Sequence, residues 1–386
     1  MSTPSTPVSG PPAEPVDAII IGSGQAANPL ALALSEAGKK TILIEVRHVG
    51  GTCVNEGCTP TKTMISSAKV AEQARRGGAF GVHTGPVTVS LDEVRARKRA
   101  VVERWRSGNE KSFAEAKHLE LVRGVGRFAS PRQVEVRVNG GGTRLFTAPL
   151  IFINTGLSSI TPDVADIETV PYLTNESIME LDQVPGHLLV LGGSYIASEF
   201  SQMFRRFGSR VTIINTASQL LPREDPDIAE CFRSILAEDG IEVLLNATAR
   251  AAHMEDDRVC LHVELPNGTM RELSGTHLLL AAGRKPNTFA LALEKAGIAL
   301  DKDGFIPVNE RLETTAPGVY ALGDVKGGPA FTHISYDDYR IVAANLLHGG
   351  KRTTTDRPTP YTLFTDPELG RIGLSEQEAR QAGLSI

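Results

Sequence analysis

Val16-Asp17-Ala18-Ile19-Ile20-Ile21-Gly22-Ser23-Gly24-Gln25-Ala26-Ala27 reads as a short apolar strand running straight into a glycine turn. A helical pattern follows from Pro29 and ends on Gly38, and a second strand, Thr41-Ile42-Leu43-Ile44, ends on Glu45. Together they make the G-x-G-x-x-G/A arrangement in its strand–turn–helix setting, with an acid closing the second strand. Gly22 makes the turn, and Gly24 lets backbone approach a pyrophosphate at the helix N-terminus. Ala27 permits close helix–strand packing, and Glu45 can accept from a ribose hydroxyl. The glycines alone would be a weak signal; with strand, helix and acid in place, they point to dinucleotide binding.

The pattern returns later, as an internal duplication would. Leu188-Leu189-Val190-Leu191 is a strand, Gly192-Gly193-Ser194-Tyr195-Ile196-Ala197 a turn, Ser198–Phe204 a helix and Val211-Thr212-Ile213-Ile214 a second strand. Ser194 and Ala197 stand where glycines are usual, and a serine crowds the phosphate approach. Asn215 occupies the position where an acid would mark NAD, and no arginine adjoins it to mark NADP. The chain is therefore expected to be an α/β protein with two Rossmann-like units.

Between these units lies Gly50-Gly51-Thr52-Cys53-Val54-Asn55-Glu56-Gly57-Cys58-Thr59-Pro60-Thr61-Lys62, with four residues separating the cysteines. A local bend brings sulfurs this close in sequence within bridging range. Pro60 suits the first turn of a helix, so Cys58 is expected at or beside a helix N-terminus, where the dipole favours thiolate. Nothing suggests export, which argues against a structural disulfide. Zinc needs about four ligands, and Cys231 and Cys260 have no paired spacing. A redox pair and two inert cysteines both remain open on spacing alone.

Composition sets limits. The 386 residues allow two or three domains, and 41% apolar with 22% charged residues describes an ordinary globular chain. A net charge of −5 without a dense basic run argues against nucleic acid as the main partner. No apolar run approaches bilayer length. Ser2–Pro15, rich in Pro, Ser and Thr, reads as a disordered tail and not a signal peptide, giving a cytosolic expectation. Two charged stretches, near Ala68–Arg76 and Leu91–Arg106, read as helices with a solvated face. The nine histidines show no metal spacing, so no metal site is assigned.

The cysteine segment resembles the active-site segment of the flavoprotein disulfide reductases (class I pyridine nucleotide-disulfide oxidoreductases). These include glutathione reductase, dihydrolipoyl dehydrogenase and mercuric reductase. Leu150-Ile151-Phe152-Ile153-Asn154-Thr155-Gly156 resembles the family's Ala-Thr-Gly segment, and Leu278–Asn287 its return crossing. Thr314–Asp324 resembles its second FAD motif. Phe331–Tyr339 and Thr59–Lys62 look most like the mercuric-reductase-like branch, which includes the reactive-chlorine-resistance flavoproteins credited with metal-ion reduction. Mercuric reductases also carry Ser and Ala at the positions of Ser194 and Ala197. The resemblance covers about residues 16–386.

It implies an FAD-binding domain in two parts, 16–157 and 284–350, around an NAD(P)H-binding domain over 158–283. Residues 1–15 would be the tail, and 358–386 the start of a truncated α+β interface domain. Cys58 would be the flavin-facing sulfur and Cys53 the interchange thiol. Lys62 would lie beside the flavin with Glu199 as its ion-pair partner, and Tyr195 would cover the empty nicotinamide pocket. Asp324 would reach the ribityl hydroxyls. Gly51, Thr52, Gly126, Thr155, Gly156, Thr332, His333 and Gly283 join the motif glycines, Ile196 and Asn215 as cofactor-binding positions. The implied activity is an NAD(P)H oxidoreductase passing electrons through FAD and a Cys53–Cys58 disulfide to a metal ion or a disulfide. The alternatives are a dihydrolipoyl-dehydrogenase-like enzyme or a nucleotide-binding relic without turnover. The family's interface domain runs on for roughly another hundred residues, builds a homodimer and supplies a His–Glu pair. With no histidine beyond His348, this chain is expected to turn over slowly and its dimer is in doubt.

Overall fold

Ala18–Ile21 is apolar at every position because both its faces are covered, as expected of a strand inside a parallel sheet. The structure, a computed structural model, describes residues 12–386. They divide into two units. The first gathers residues 12–55, Trp105–Leu157 and Pro286–Arg357. The second gathers Glu56–Arg104, Ser158–Lys285 and Pro358–Ile386.

Among the described residues, the first unit is built on an eight-stranded sheet. Its order is Glu14–Pro15, Thr143–Thr147, Gln133–Val138, Leu119–Ser130, Thr41–Glu45, Ala18–Ile21, Leu150–Ile153 and Val319–Ala321. From Leu119–Ser130 onward these strands are parallel, while Leu119–Ser130, Gln133–Val138 and Thr143–Thr147 form an antiparallel meander. Ile19, Ile21, Ile42 and Ile44 enter one core cluster with Phe128 and Phe146. Their neighbours Ala18, Ile20 and Leu43 enter another, with Leu30 and Leu34 of the helix Ala27–Glu36 and Ile341 of the helix Thr332–His348. Two features differ from expectation. Glu14 and Pro15, read as tail, pair in parallel with Phe146 and Thr147; the rest of that stretch, through residue 11, lies outside the described residues. The charged stretch from Leu91 is one helix running to Glu115.

In the second unit four parallel strands are ordered Glu242–Leu244, Arg210–Ile214, His187–Leu191 and His277–Leu280. One face packs on Phe200, Met203 and Phe204 of the helix Tyr195–Phe207. The other meets Val259, Leu261 and Val263 of a three-stranded antiparallel sheet, Thr248–Glu255, Arg258–Glu264 and Met270–Gly275. The helix Cys58–Arg76 joins this core through Met64, Ile65 and Ala68. A short hairpin, Tyr361–Leu363 against Leu369–Arg371, completes the unit with a capped helix, Glu376–Gln381. Lys98 corrects the reading of a wholly solvated face. It is 3% exposed and bonded to the Glu180 carboxylate, which also takes Arg99. Burial pushes its pKa below the ordinary lysine value, against the pull of Glu180.

Candidate active site

In the first unit Gly22 has φ +92°, and a Cβ there would lie 2.5 Å from the Asn154 carbonyl oxygen. A Cβ on Gly24 would lie 2.4 Å from Asn154 Oδ1. At Gly22 a Cβ would meet fixed backbone, and at Gly24 it would displace the Asn154 amide. Asn154 itself is a tie between elements. Its Oδ1 accepts the Ala27 N–H at 3.2 Å, at the helix N-terminus, and its Nδ2 donates to the Leu322 carbonyl at 2.7 Å. Glu45 is buried and accepts the Ser23 hydroxyl at 2.6 Å, the Ser23 N–H at 3.1 Å and the Arg47 N–H at 2.7 Å. A turn with glycine at 22 and 24, a helix N-terminus and a carboxylate at the strand end are what a dinucleotide's pyrophosphate and ribose require, so these residues fit FAD.

The cysteine segment is laced to that turn. Gly50 N–H donates to the Ser23 carbonyl at 3.1 Å, and Gln25 Nε2 to the Gly50 carbonyl at 3.1 Å. Gly51 has φ +60°, and a Cβ there would lie 2.9 Å from Gly24 Cα, too close for any side chain. Thr52 and Cys53 follow on the short helix Gly51–Asn55, both half-buried. The Thr332 hydroxyl, 279 residues away, donates to Cys53 Sγ at 3.1 Å. His333, the next residue, is exposed and stacks on Phe331 with ring centroids 5.5 Å apart.

Asp324 stands in the turn Gly323–Lys326 after the strand Val319–Ala321. A residue that the sequence reading missed fixes this turn. Asp338, fully buried, accepts the Gly323 N–H at 2.8 Å and the Arg357 guanidinium at 2.6 Å, with Lys326 Nζ at 3.4 Å. Thr155 and Asn287 clasp each other: Thr155 Oγ1 donates to the Asn287 carbonyl, and Asn287 Nδ2 to the Thr155 carbonyl, each at 2.9 Å. The Asn287 N–H reaches the Gly156 carbonyl at 3.0 Å. Gly126 lets its strand pass close to Ile44, whose Cδ1 would lie 3.2 Å from a Cβ. Asn154, Asn287 and Asp338 lie inside segments that resemble the family (Leu150–Gly156, Leu278–Asn287 and Phe331–Tyr339), but the resemblance did not single out these side chains or the long-range bonds they make.

In the second unit Cys58 is the first residue of a nineteen-residue helix and is exposed. One turn on, Lys62 Nζ lies 2.7 and 2.9 Å from the two Glu199 oxygens and 4.8 Å from the Phe364 ring centroid. Glu199, 5% exposed, also accepts the Phe364 N–H at 2.9 Å. The expected Lys62–Glu199 pair is thus assembled, 137 positions apart in sequence.

The second glycine turn repeats the first in part. Gly192 has φ +123°, and its Cβ would lie 2.3 Å from the Ala281 carbonyl oxygen. Gly193 is bounded by Asn215, whose Cγ would lie 2.5 Å from an added Cβ. Asn215 Nδ2 donates to the Gln219 carbonyl at 2.8 Å, and the loop returns with Leu221 N–H on the Gly193 carbonyl at 2.8 Å. Ser194 is the extended N-cap of the helix that Tyr195 opens. Tyr195 and Ile196 pack partly buried against the core, and Ala197 is fully buried. Gly283, at φ +152°, lies against Ile160. Spacing along the chain gave no metal site, yet cross-strand register places ligand atoms of His253, His262 and Glu272 within 4.8 Å of one another.

Residues 16–338 match the family model for pyridine nucleotide-disulphide oxidoreductases, and the chain belongs to that family of FAD- and NAD(P)H-using enzymes. Its relatives include RclA of Escherichia coli K12, named a probable pyridine nucleotide-disulfide oxidoreductase. That protein is 40% identical over 375 residues, covering 96% of this chain and 79% of the relative. A mercuric reductase of Bacillus cereus is 34% identical over 370 residues, covering 96% of this chain and 58% of the relative. Among solved structures, the Cu(II) complex of the HOCl-induced flavoprotein disulfide reductase RclA superposes with a TM-score of 0.87 at 38% identity, covering 96% of this chain and 80% of that one. Among the described residues, no helix is long and apolar enough to cross a membrane.

Proposed function

We propose that this chain uses NAD(P)H to reduce a soft metal ion or a disulfide through the pair Cys53 and Cys58. The observation that carries the reading is the exposed Cys58 at the first position of a nineteen-residue helix, where the dipole favours thiolate. FAD, when bound, supplies hydride acceptance from the nicotinamide and two-electron delivery to sulfur. The turn at Gly22–Gly24, the helix N-terminus at Ala27 and Glu45 would hold it, with Asp324 and the Thr155–Asn287 clasp beside them.

For a disulfide acceptor, the Cys53 thiolate attacks one sulfur, the acceptor S–S bond breaks and the departing sulfur takes a proton. The Cys58 thiolate then attacks Cys53, releasing the second thiol and leaving a Cys53–Cys58 disulfide. The balance is one NAD(P)H, one proton and one disulfide giving NAD(P)⁺ and two thiols. For a metal acceptor the two thiolates are soft ligands. Thr332 holds the Cys53 sulfur through its hydroxyl, and Glu199 sets the position of the Lys62 ammonium.

Mercuric ion, cupric ion, oxidised glutathione, lipoamide and a quinone, each supplied under one reductant, discriminate the acceptors. Turnover is expected with a metal ion or a disulfide and should be lost in Cys58→Ser. Turnover that survives in that variant would remove the pair from the electron path.

A further inference from the structure

The three-stranded sheet of the second unit has two unlike faces. Val259, Leu261 and Val263 enter the core, so Arg258, Cys260 and His262 occupy the opposite face. Register sets His253 opposite Cys260, Ala251 opposite His262, and Glu272 opposite His262. The small Ala251 leaves the space beside His262 to its diagonal neighbour, and the His253 and His262 ring centroids lie 5.1 Å apart. His262 Nε2 is 3.4 Å from Glu272 Oε2, with both side chains about half exposed. Ligand atoms of His253, His262 and Glu272 fall within 4.8 Å of one another. A second group, His253, Glu255 and Cys260, meets the same limit and shares His253.

Tetrahedral ligation at ~2.0–2.1 Å sets neighbouring donor atoms roughly 3.3 Å apart. The His262–Glu272 spacing already meets that, and half-exposed side chains can rotate to close the remaining distance. Two imidazoles and one carboxylate suit zinc and its neighbours among divalent transition metals, with a fourth position left for water. The sequence hides this set because its residues meet only through cross-strand pairing.

We infer that His253, His262 and Glu272 form a binding site for a divalent transition-metal ion, distinct in its residues from the Cys53/Cys58 pair. Zn(II) is the probe. The test uses tag-free, FAD-loaded protein carrying Cys53→Ser and Cys58→Ser, so that the redox pair does not compete. Titration against a chromophoric chelator should show one equivalent bound. Adding His253→Ala or Glu272→Ala should each weaken that binding at least tenfold, and His253→Ala with His262→Ala should abolish it, while flavin absorbance confirms an intact fold. Absence of a bound equivalent in the serine background, or binding that survives the double histidine substitution, overturns the site.

Discussion

The two glycine turns solve one backbone problem with different side chains. In each, the first glycine has a positive φ, and an added Cβ would also strike the carbonyl just after a neighbouring strand, that of Asn154 for Gly22 and of Ala281 for Gly192. They diverge at the next residue. Ser23 donates through both its hydroxyl and its N–H to Glu45, tying the turn to an acid. A Cβ on Gly193 would displace the Asn215 side chain, whose amide turns back to its own loop. Both groups are held by the protein: the Glu45 carboxylate by Ser23 and Arg47, and the Asn215 amide by the Gln219 carbonyl.

The largest effects should come from the shared feature. Gly22→Ala and Gly192→Ala each impose positive φ on a side chain and a clash with backbone, a cost above ~2 kcal/mol. Gly22→Ala should purify without flavin. Gly192→Ala should stay yellow but be reduced by nicotinamide at least ~100-fold more slowly, about 2.7 kcal/mol in barrier. Flavin absorbance and stopped-flow reduction read the two outcomes. Equal flavin loss in both variants would break the comparison.

A second, smaller effect belongs to the first unit. Asn154→Ala leaves the Ala27 N–H and the Leu322 carbonyl without their partner, worth ~1–3 kcal/mol. FAD affinity should fall, while nicotinamide binding to reconstituted protein should not. Unchanged FAD affinity would make Asn154 a spectator. Ala281 in the second unit carries no such amide.

Asn215 sharpens the contrast further. It offers neither a carboxylate for the adenosine ribose nor a cation for a 2′-phosphate, so NADH and NADPH should differ by under ~100-fold in flavin reduction, a few kcal/mol at most. Asn215→Asp should not simply create NADH preference, because an aspartate cannot donate to the Gln219 carbonyl and would face it instead. A thousandfold preference in the wild type would overturn this. The exposed Arg223, two residues beyond Leu221, is the first position to substitute in that event.

The smallest effect is a pH dependence. His187, buried in the second unit, bonds the Ser274 carbonyl at 2.9 Å and Thr212 Oγ1 at 3.0 Å. Burial, with Arg210 nearby, pushes its pKa below the ordinary histidine value. The unfolded chain therefore takes up a proton first, and stability present above about pH 6.5 is lost as the pH falls below it. Urea midpoints at pH 7.5 and 5.5 should differ less in His187→Gln than in wild type, by under ~1 kcal/mol. An equal difference in both would remove His187 from the effect. His48 in the first unit shifts the same way but is exposed, so its share is smaller.

The sequence carried what is local. Gly22, Gly24, Ala27 and Glu45 lie within one strand–turn–helix–strand, and the structure places them as that pattern requires. The Cys58 helix start was likewise set by Pro60 and its flank. What spans the chain was not legible. Asn154 caps a helix 127 residues away, Asp338 clamps a turn that begins 15 residues earlier, and Lys98 is buried by an ion pair with Glu180. Lys62 and Glu199 were paired only through family resemblance. The three-stranded sheet, and with it the His253–His262–Glu272 group, was not among the elements read, because its meaning lies in strand register.

Counting thiols during reduction tests the central claim most directly. Oxidised, FAD-loaded protein is titrated anaerobically with NADH or NADPH, quenched and reacted with a thiol reagent. Two additional thiols should appear in wild type as reducing equivalents enter, and none in Cys53→Ser or Cys58→Ser. Full reduction of the flavin with no gain of thiols in the wild type would contradict a path through Cys53 and Cys58.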